Sequence, residues 1–316
     1  MILFKKKKKS LHARINFWGK LFFVPFAVAF LAFGLFPILY SLFLSFMEYD
    51  GIRPMKFIGL ENFEWVFIGD GAEGFWRTVL NVLRIMAVYI PLNLIGALVI
   101  ALIMFNRRTR PKRLMQVMCF LPSVTCSVAV GIIFALLFDY DLGIINKLLM
   151  RWGFITENIN WMGSAFPAWC ILLLMMCWGS WGSTSLQFLG GLGGISDEII
   201  EASIIDGSNY FQRLIYVILP SIRNVFLFIV INGFIGTFQI MDQPRMLFSS
   251  WAVTNTIGWG AADSMVFTPA WMLYNMAYSA TKLGRAAAVA YAMAMVSLVF
   301  SILNFKVLLR SWKEGE

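Results

Sequence analysis

Long uncharged apolar runs alternate with short polar connections along this chain, and that rhythm predicts helices that cross a membrane. No charged residue occurs from Leu21 to Met47. Further runs cover Ile85–Phe105, Leu114–Phe138, Phe166–Leu189, Leu214–Met241 and Ala286–Phe305. A spanning helix needs about 20 apolar residues to cross roughly 30 Å of hydrocarbon, and each run is long enough. Six spans are predicted, in an all-α polytopic membrane protein. Pro25, Gly34 and Pro37 interrupt the first span. Pro220 loosens the fifth near one end, where Arg223 can snorkel to the interface.

Composition agrees with that pattern. Mean hydropathy is +0.74 and only 14% of residues are charged, too few for the surface of a soluble domain of this size. The charges are placed unevenly. With the N-terminus in the cytoplasm, the inside segments hold 17 of the 26 Lys and Arg residues, and the outside segments hold 11 of the 17 acidic ones. Both termini therefore read as cytoplasmic. The organisation expected is a basic tail over 1–16, a six-span membrane domain over 17–309 and a short cytoplasmic tail over 310–316. The run Lys5 to Lys9 suits anionic membrane lipid rather than nucleic acid. The first span is too long for a signal-peptide core and lacks a small-residue cleavage site, so it reads as retained.

Several chemistries are absent from the sequence. Cys119, Cys126, Cys170 and Cys177 lie inside spans without CxxC spacing, which points to packing rather than a metal or a disulfide. His12 is the only histidine, so neither a His-pair metalloprotease nor a His-dependent serine protease fits. No phosphate-binding loop of the Walker type occurs. No catalytic residue and no metal or cofactor bound by this chain is expected. The interiors of the spans also lack carboxylates, the groups that ion-coupled transporters commonly carry. A stand-alone secondary transporter of a small polar solute is therefore the lesser alternative, and a scaffold without a translocation path is another. Energy for uphill movement would enter from a partner.

One connection is unlike the rest. Between spans four and five, residues 190–213 carry Asp197, Glu198, Glu201 and Asp206 and no basic residue before Arg213. Ser196 suits an N-cap, with Asp197 and Glu198 in the first turn where negative charge favours the helix dipole. Ile200 and Ile204 lie one turn apart as an apolar stripe. Asp206-Gly207 reads as a stop and turn, and Asn209 with Gln212 three residues on starts a second helix.

The segment "EASIIDGSNYFQRLIYVILP" resembles the EAA loop in membrane subunits of binding-protein-dependent ABC importers. Glu201, Ala202, Gly207, Ile218, Leu219 and Pro220 occupy the motif positions, with Asp206 completing the common Asp-Gly pair and Ser203 in place of the third small residue. "FIGLENF", "FLPSV", "FDYDLGIIN" and "GRAAAVAYAMAMVSLVF" are similar to the carbohydrate-uptake branch, of maltodextrin and multiple-sugar type. One departure is "SSWAVTNTIGWGAADS" at 249–264, where that family often has a short Gly-Gly-Pro turn.

This resemblance implies a type I ABC importer permease fold in a bacterial or archaeal cell (inner) membrane. It implies four kinds of partner: a second, homologous permease subunit, two ATP-binding subunits that hold ATP and Mg, an extracytoplasmic solute-binding protein, and the surrounding lipid. It further implies that Ile200, Glu201, Ala202, Ile204, Asp206 and Gly207 form a coupling helix docked on the ATPase. The implied cargo is an oligosaccharide or related glycoside, with glycerol-phosphate-type solutes also carried by such permeases.

A sugar path wants ring faces and neutral donors and acceptors. Trp178, Ser180 and Trp181 in span four, with Asn232, Gly233, Gly236, Thr237 and Gln239 in span five, are the candidates. Trp178 falls where importers of the maltodextrin type present a ring to substrate. Ser183, Thr184 and Gln187 in span four, and Ser123, Thr125 and Ser127 in span three, add further polar groups.

Overall fold

The computed structural model describes residues 11–106, 111–163, 165–248 and 265–313. The lysine run at 5–9, Arg107, Arg108, Arg110, the divergent 249–264 segment and residues 314–316 lie outside them. The described chain is helical almost throughout, with a two-stranded hairpin as its only sheet among those residues. Among the described residues four helices are long and apolar enough to cross a membrane, and two bent helix pairs bring the total to six if each pair counts as one span.

The first span joins α1 (Leu11–Ala29) to α2 (Phe36–Ser45) through a π-helical stretch over Phe30–Leu35. Pro37 sits in the first turn of α2, directly after the π-helical stretch. The most apolar stretch of this span has no residue buried within the chain, which leaves Phe22, Phe26 and Phe33 facing outward for lipid. Next comes the hairpin of β1 (Met47–Glu48) and β2 (Lys56–Phe57). In its turn the Asp50 carboxylate accepts from the backbone N–H groups of Ile52 and Arg53. Those bonds, with the Arg53 charge, hold the Asp50 carboxyl below the ordinary carboxylate range.

A short α3 (Glu61–Phe67) precedes α4 (Ala72–Phe105), which starts well ahead of the apolar run predicted from Ile85. Thirty-four residues of helix extend about 50 Å, more than the bilayer needs. The third span is broken. α5 (Lys112–Val124) and α6 (Ser127–Leu137) meet at 91°, where the apolar run predicts one helix over Leu114–Phe138. Pro122 removes a backbone donor, and Thr125 and Cys126 are extended. The Ser123 and Thr125 hydroxyls donate to the Phe120 and Leu121 carbonyls and satisfy acceptors at the break.

The amphipathic α7 (Ile144–Arg151) then leads to α8 (Ala165–Leu192), the fourth span. Its predecessor loop is fixed by Asn146, whose buried amide donates to the carbonyls of Tyr140 and Ile159. The Asn146 carbonyl oxygen accepts from the Ile159 N–H and, at 2.8 Å, from Trp161 Nε1. The motif "FDYDLGIIN" is thus a loop-folding device.

α9 (Asp197–Ile205) and α10 (Tyr210–Arg213) follow, then a π turn over Leu214–Ile218 and α11 (Leu219–Ser221). The fifth span bends by 69° between Ser221 and α12 (Arg223–Phe238), two residues after Pro220. Beyond α13 (Asp242–Leu247) and α14 (Pro269–Tyr274), a π stretch over Asn275–Ser279 reaches α15 (Leu283–Lys313), the sixth span.

α4 and α8 pack along each other at the centre. Ile85, Leu172, Met175 and Trp271 centre one buried cluster. Ala97, Ala101, Phe188, Leu192 and Ile222 form another, at the end nearer α9. Small residues set the helix spacing: Gly96 lies under the Trp181 ring, and Gly182 lies against the Cys119 carbonyl of α5.

Candidate functional site

Two features stand out, a solvent-facing knuckle and an open-sided cavity. In the knuckle, α9 ends at Gly207, whose φ of +80° is cheap only for glycine. The Ser208 N–H and hydroxyl both donate to the Ser203 carbonyl. Ser203 is buried and its hydroxyl bonds the Ile200 carbonyl. A small side chain is needed here because this face of α9 turns inward. Asn209 and Gln212 form the expected reciprocal capping box, each bond 2.9 Å. Arg213 reaches back to the Ser208 carbonyl at 3.1 Å, tying α10 to the turn.

The outward face of the knuckle carries Glu201, Ala202, Asp206 and Gly207, all exposed. Glu201 has no ion partner among the described residues. Ile200 is half-buried, and Ile204 is half exposed. The strongest apolar exposure lies one position on, at Ile205 (85%), and continues to Phe211 (71%). Sequence periodicity missed both, because each flanks the turn rather than lying on a helical stripe.

The cavity has a volume of about 620 Å³ and lies among α4, the α5–α6 break, α8, α12 and α13. From α8 it is lined by Gly179, Ser180, Ser183, Thr184 and Gln187. α12 and the residues after it contribute Asn232, Gly233, Gly236, Thr237 and Gln239. Ser123, Thr125 and Ser127 border it at the break of span three. Tyr89 and Asn93 of α4 and Gln243 of α13 complete the polar wall, and none of these three was singled out from sequence. Among the described residues that line the cavity none is charged, and only Tyr89 and Phe120 offer rings. Added Cβ atoms at Gly179 and Gly236 would meet open space.

Six of the eight sequence-selected path residues meet in this cavity. Trp178 and Trp181 lie outside its lining. The Trp178 ring packs on Phe134 with centroids 5.9 Å apart. Trp181 covers Gly96 and directs Nε1 at the Leu92 carbonyl, 3.4 Å away. The lining residues Ser180, Ser183, Thr184 and Gln187 follow the i, i+3, i+4, i+7 spacing of one helix face. Trp178 and Trp181 are off that face.

Residues 92–312 match the family model described as "Binding-protein-dependent transport system inner membrane component". The chain is similar to the probable ABC transporter permease protein YesP of Bacillus subtilis, 32% identical over 95% of this chain and 93% of that protein. It is 30% identical to the lactose transport system permease protein LacF of Rhizobium radiobacter, over 94% of this chain and 96% of LacF. Among solved structures, it superposes on a chain of a bacterial ABC transporter involved in the import of the acidic polysaccharide alginate. The TM-score is 0.74 at 16% identity, over 94% of this chain and 96% of that one. A structure of the bacterial alginate transporter in complex with alginate pentasaccharide-bound periplasmic protein gives a TM-score of 0.73 at 15% identity, over 92% and 93%.

Proposed function

The chain belongs to the inner-membrane components of binding-protein-dependent transport systems, and on that premise we propose that it passes an uncharged oligosaccharide or glycoside across the membrane. It is a multi-pass permease subunit of an ABC importer and not itself an enzyme. That membership leaves the stand-alone secondary transporter without support.

The observation that carries the substrate reading is a cavity wall in which hydroxyls, amides and glycines stand among apolar side chains such as Met175 and Ile229, without a described charge. An ionised phosphate or carboxylate entering it would lose its hydration with no cation to replace it. A sugar hydroxyl both donates and accepts, and so matches such groups. The wall therefore favours neutral saccharides over glycerol-phosphate-type solutes. The names of LacF and of the arabinooligosaccharides permease AraP of Bacillus subtilis point the same way.

The rest of the machine comes from partners. A second, homologous permease closes the other side of the path, two ATP-binding subunits hold ATP and Mg on the cytoplasmic face, and a solute-binding protein delivers cargo outside. Both termini lie in the cytoplasm in this arrangement. The tail at 1–16 then lies against anionic lipid, and the six-span domain over 17–309 ends in a cytoplasmic tail at 310–316. Ile200, Glu201, Ala202, Ile204, Asp206 and Gly207 dock in the ATPase. Closure and reopening of the ATPase pair move the knuckle as a rigid piece and alternate access to the cavity.

Purification of the chain from its native membrane in gentle detergent tests this reading. The expected co-purifying proteins are a second permease, a Walker-containing ATPase and a solute-binding protein whose bound ligand is a neutral glycan. Recovery of the chain alone, or with a binding protein loaded with an anionic solute, would overturn it.

A further inference from the structure

We infer that Asn93, Ser180 and Thr184 form a hydroxyl-recognition station that sets which saccharide this permease passes; the inference rests on the saccharide reading above. Asn93 lies in the middle of α4 and is 6% exposed. Its carbonyl oxygen accepts from the Ser180 hydroxyl at 2.9 Å, and its amide donates to Thr184 Oγ1 at 3.2 Å. All three residues line the cavity.

Counting donors and acceptors shows what is left over. A carboxamide has two N–H donors and two carbonyl lone pairs, and the bonds given engage one of each on Asn93. One donor and one acceptor remain, the complement that a sugar hydroxyl offers. Ser180 Oγ is already engaged, since it also points at the Cys177 carbonyl at 3.3 Å and bonds the Tyr89 hydroxyl, so the open positions lie on Asn93. The cluster is held by two helices at once, so its position is fixed before cargo arrives, the condition for selective contact.

Simple interhelical adhesion explains the cluster less well. α4 and α8 already interlock through Gly96 beneath Trp181 and through Ala97 and Ala101 against Phe188 and Leu192. Replacing both sides of a polar contact by apolar groups of like shape is nearly neutral for stability. Adhesion alone gives no reason to aim such groups into a cavity.

The test uses the co-expressed importer complex in proteoliposomes loaded with ATP, at saturating solute-binding protein. The probe is a defined mixture of uncharged di- to tetrasaccharides built from glucose, galactose, arabinose and N-acetylglucosamine, with lumenal contents read by mass. Asn93→Leu and Thr184→Val should change the uptake ratio between the two best-carried saccharides by about fivefold, the worth of one net hydrogen bond. Thr184→Ser should return the wild-type profile. Should Asn93→Leu fail to assemble, the Thr184→Val and Thr184→Ser pair decides alone. Variant profiles that superimpose on the wild type overturn the station and leave the saccharide reading standing. A wild-type complex that hydrolyses ATP on addition of binding protein yet accumulates none of the saccharides overturns both.

Discussion

Gly284 and Met47 are in backbone contact: a Cβ at Gly284 would overlap the Met47 carbonyl oxygen. That carbonyl also accepts from the buried Asn62 amide at 2.9 Å, and the same amide holds the Ser45 carbonyl at 3.0 Å. The Gly284 N–H in turn donates to the Tyr49 carbonyl. Two motifs more than 200 residues apart, "FIGLENF" and "GRAAAVAY", thus close one junction between the end of span one and the start of span six. Farther along, Tyr291 and Ser41 meet at 3.1 Å and bind the same two spans again.

Gly284→Val should therefore loosen span one from the rest of the chain. Overpacking of this kind costs roughly 1–3 kcal/mol, expected as a lower midpoint of heat-induced aggregation in detergent. An unchanged midpoint would show that the contact is slack.

Asn146→Ala should destabilise the loop between spans three and four more than its small size change suggests. It strands the half-buried Ile159 N–H and Trp161 Nε1 without their acceptor, at up to about 1 kcal/mol each. Increased protease cleavage within 152–163, compared with the wild type, is the check.

Glu201→Lys should abolish uptake while leaving the six-span fold intact, because Glu201 is exposed and touches no ion partner among the described residues. Co-purification of the ATPase should drop, or ATP hydrolysis should persist without transport. Normal uptake by this variant rules out docking through that residue.

Gly236→Trp should block the path. The position lines the cavity with nothing within 4 Å of an added Cβ, so the indole enters space that cargo needs. Uptake in proteoliposomes should fall at least tenfold, the effect of about 1.4 kcal/mol on the transport step, with the complex recovered in normal amount.

The spans were legible because crossing hydrocarbon imposes a length and an apolar composition that nothing else in the chain imitates. The break of span three was not: hydropathy averages over Thr125 and Cys126, and Pro122 announces a weakness without saying which way the chain turns. The knuckle was read down to the Asn209–Gln212 box because caps are local chemistry. The cavity was read in part. Residue type nominated Trp178 and Trp181, whereas the helical phase of Ser180, Ser183, Thr184 and Gln187 picks the lining face. Asn93 escaped attention because a single amide in an apolar run has no local signature, and its partners lie 87 and 91 positions away.

The helix Ala72–Phe105 reaches from one buried cluster to another. Near its start Phe75 and Val79 pack with Val66, Met272 and Ala288. Near its end Ala97 and Ala101 pack with Ile218 and Ile222, just beyond the knuckle. A rod of about 50 Å that tilts by about 5° carries one end about 4 Å past the other. In the coupling proposed above, a push arriving through Ile218 would travel along this helix as leverage, past Pro91 in its interior, and the cavity wall bearing Asn93 would turn with it.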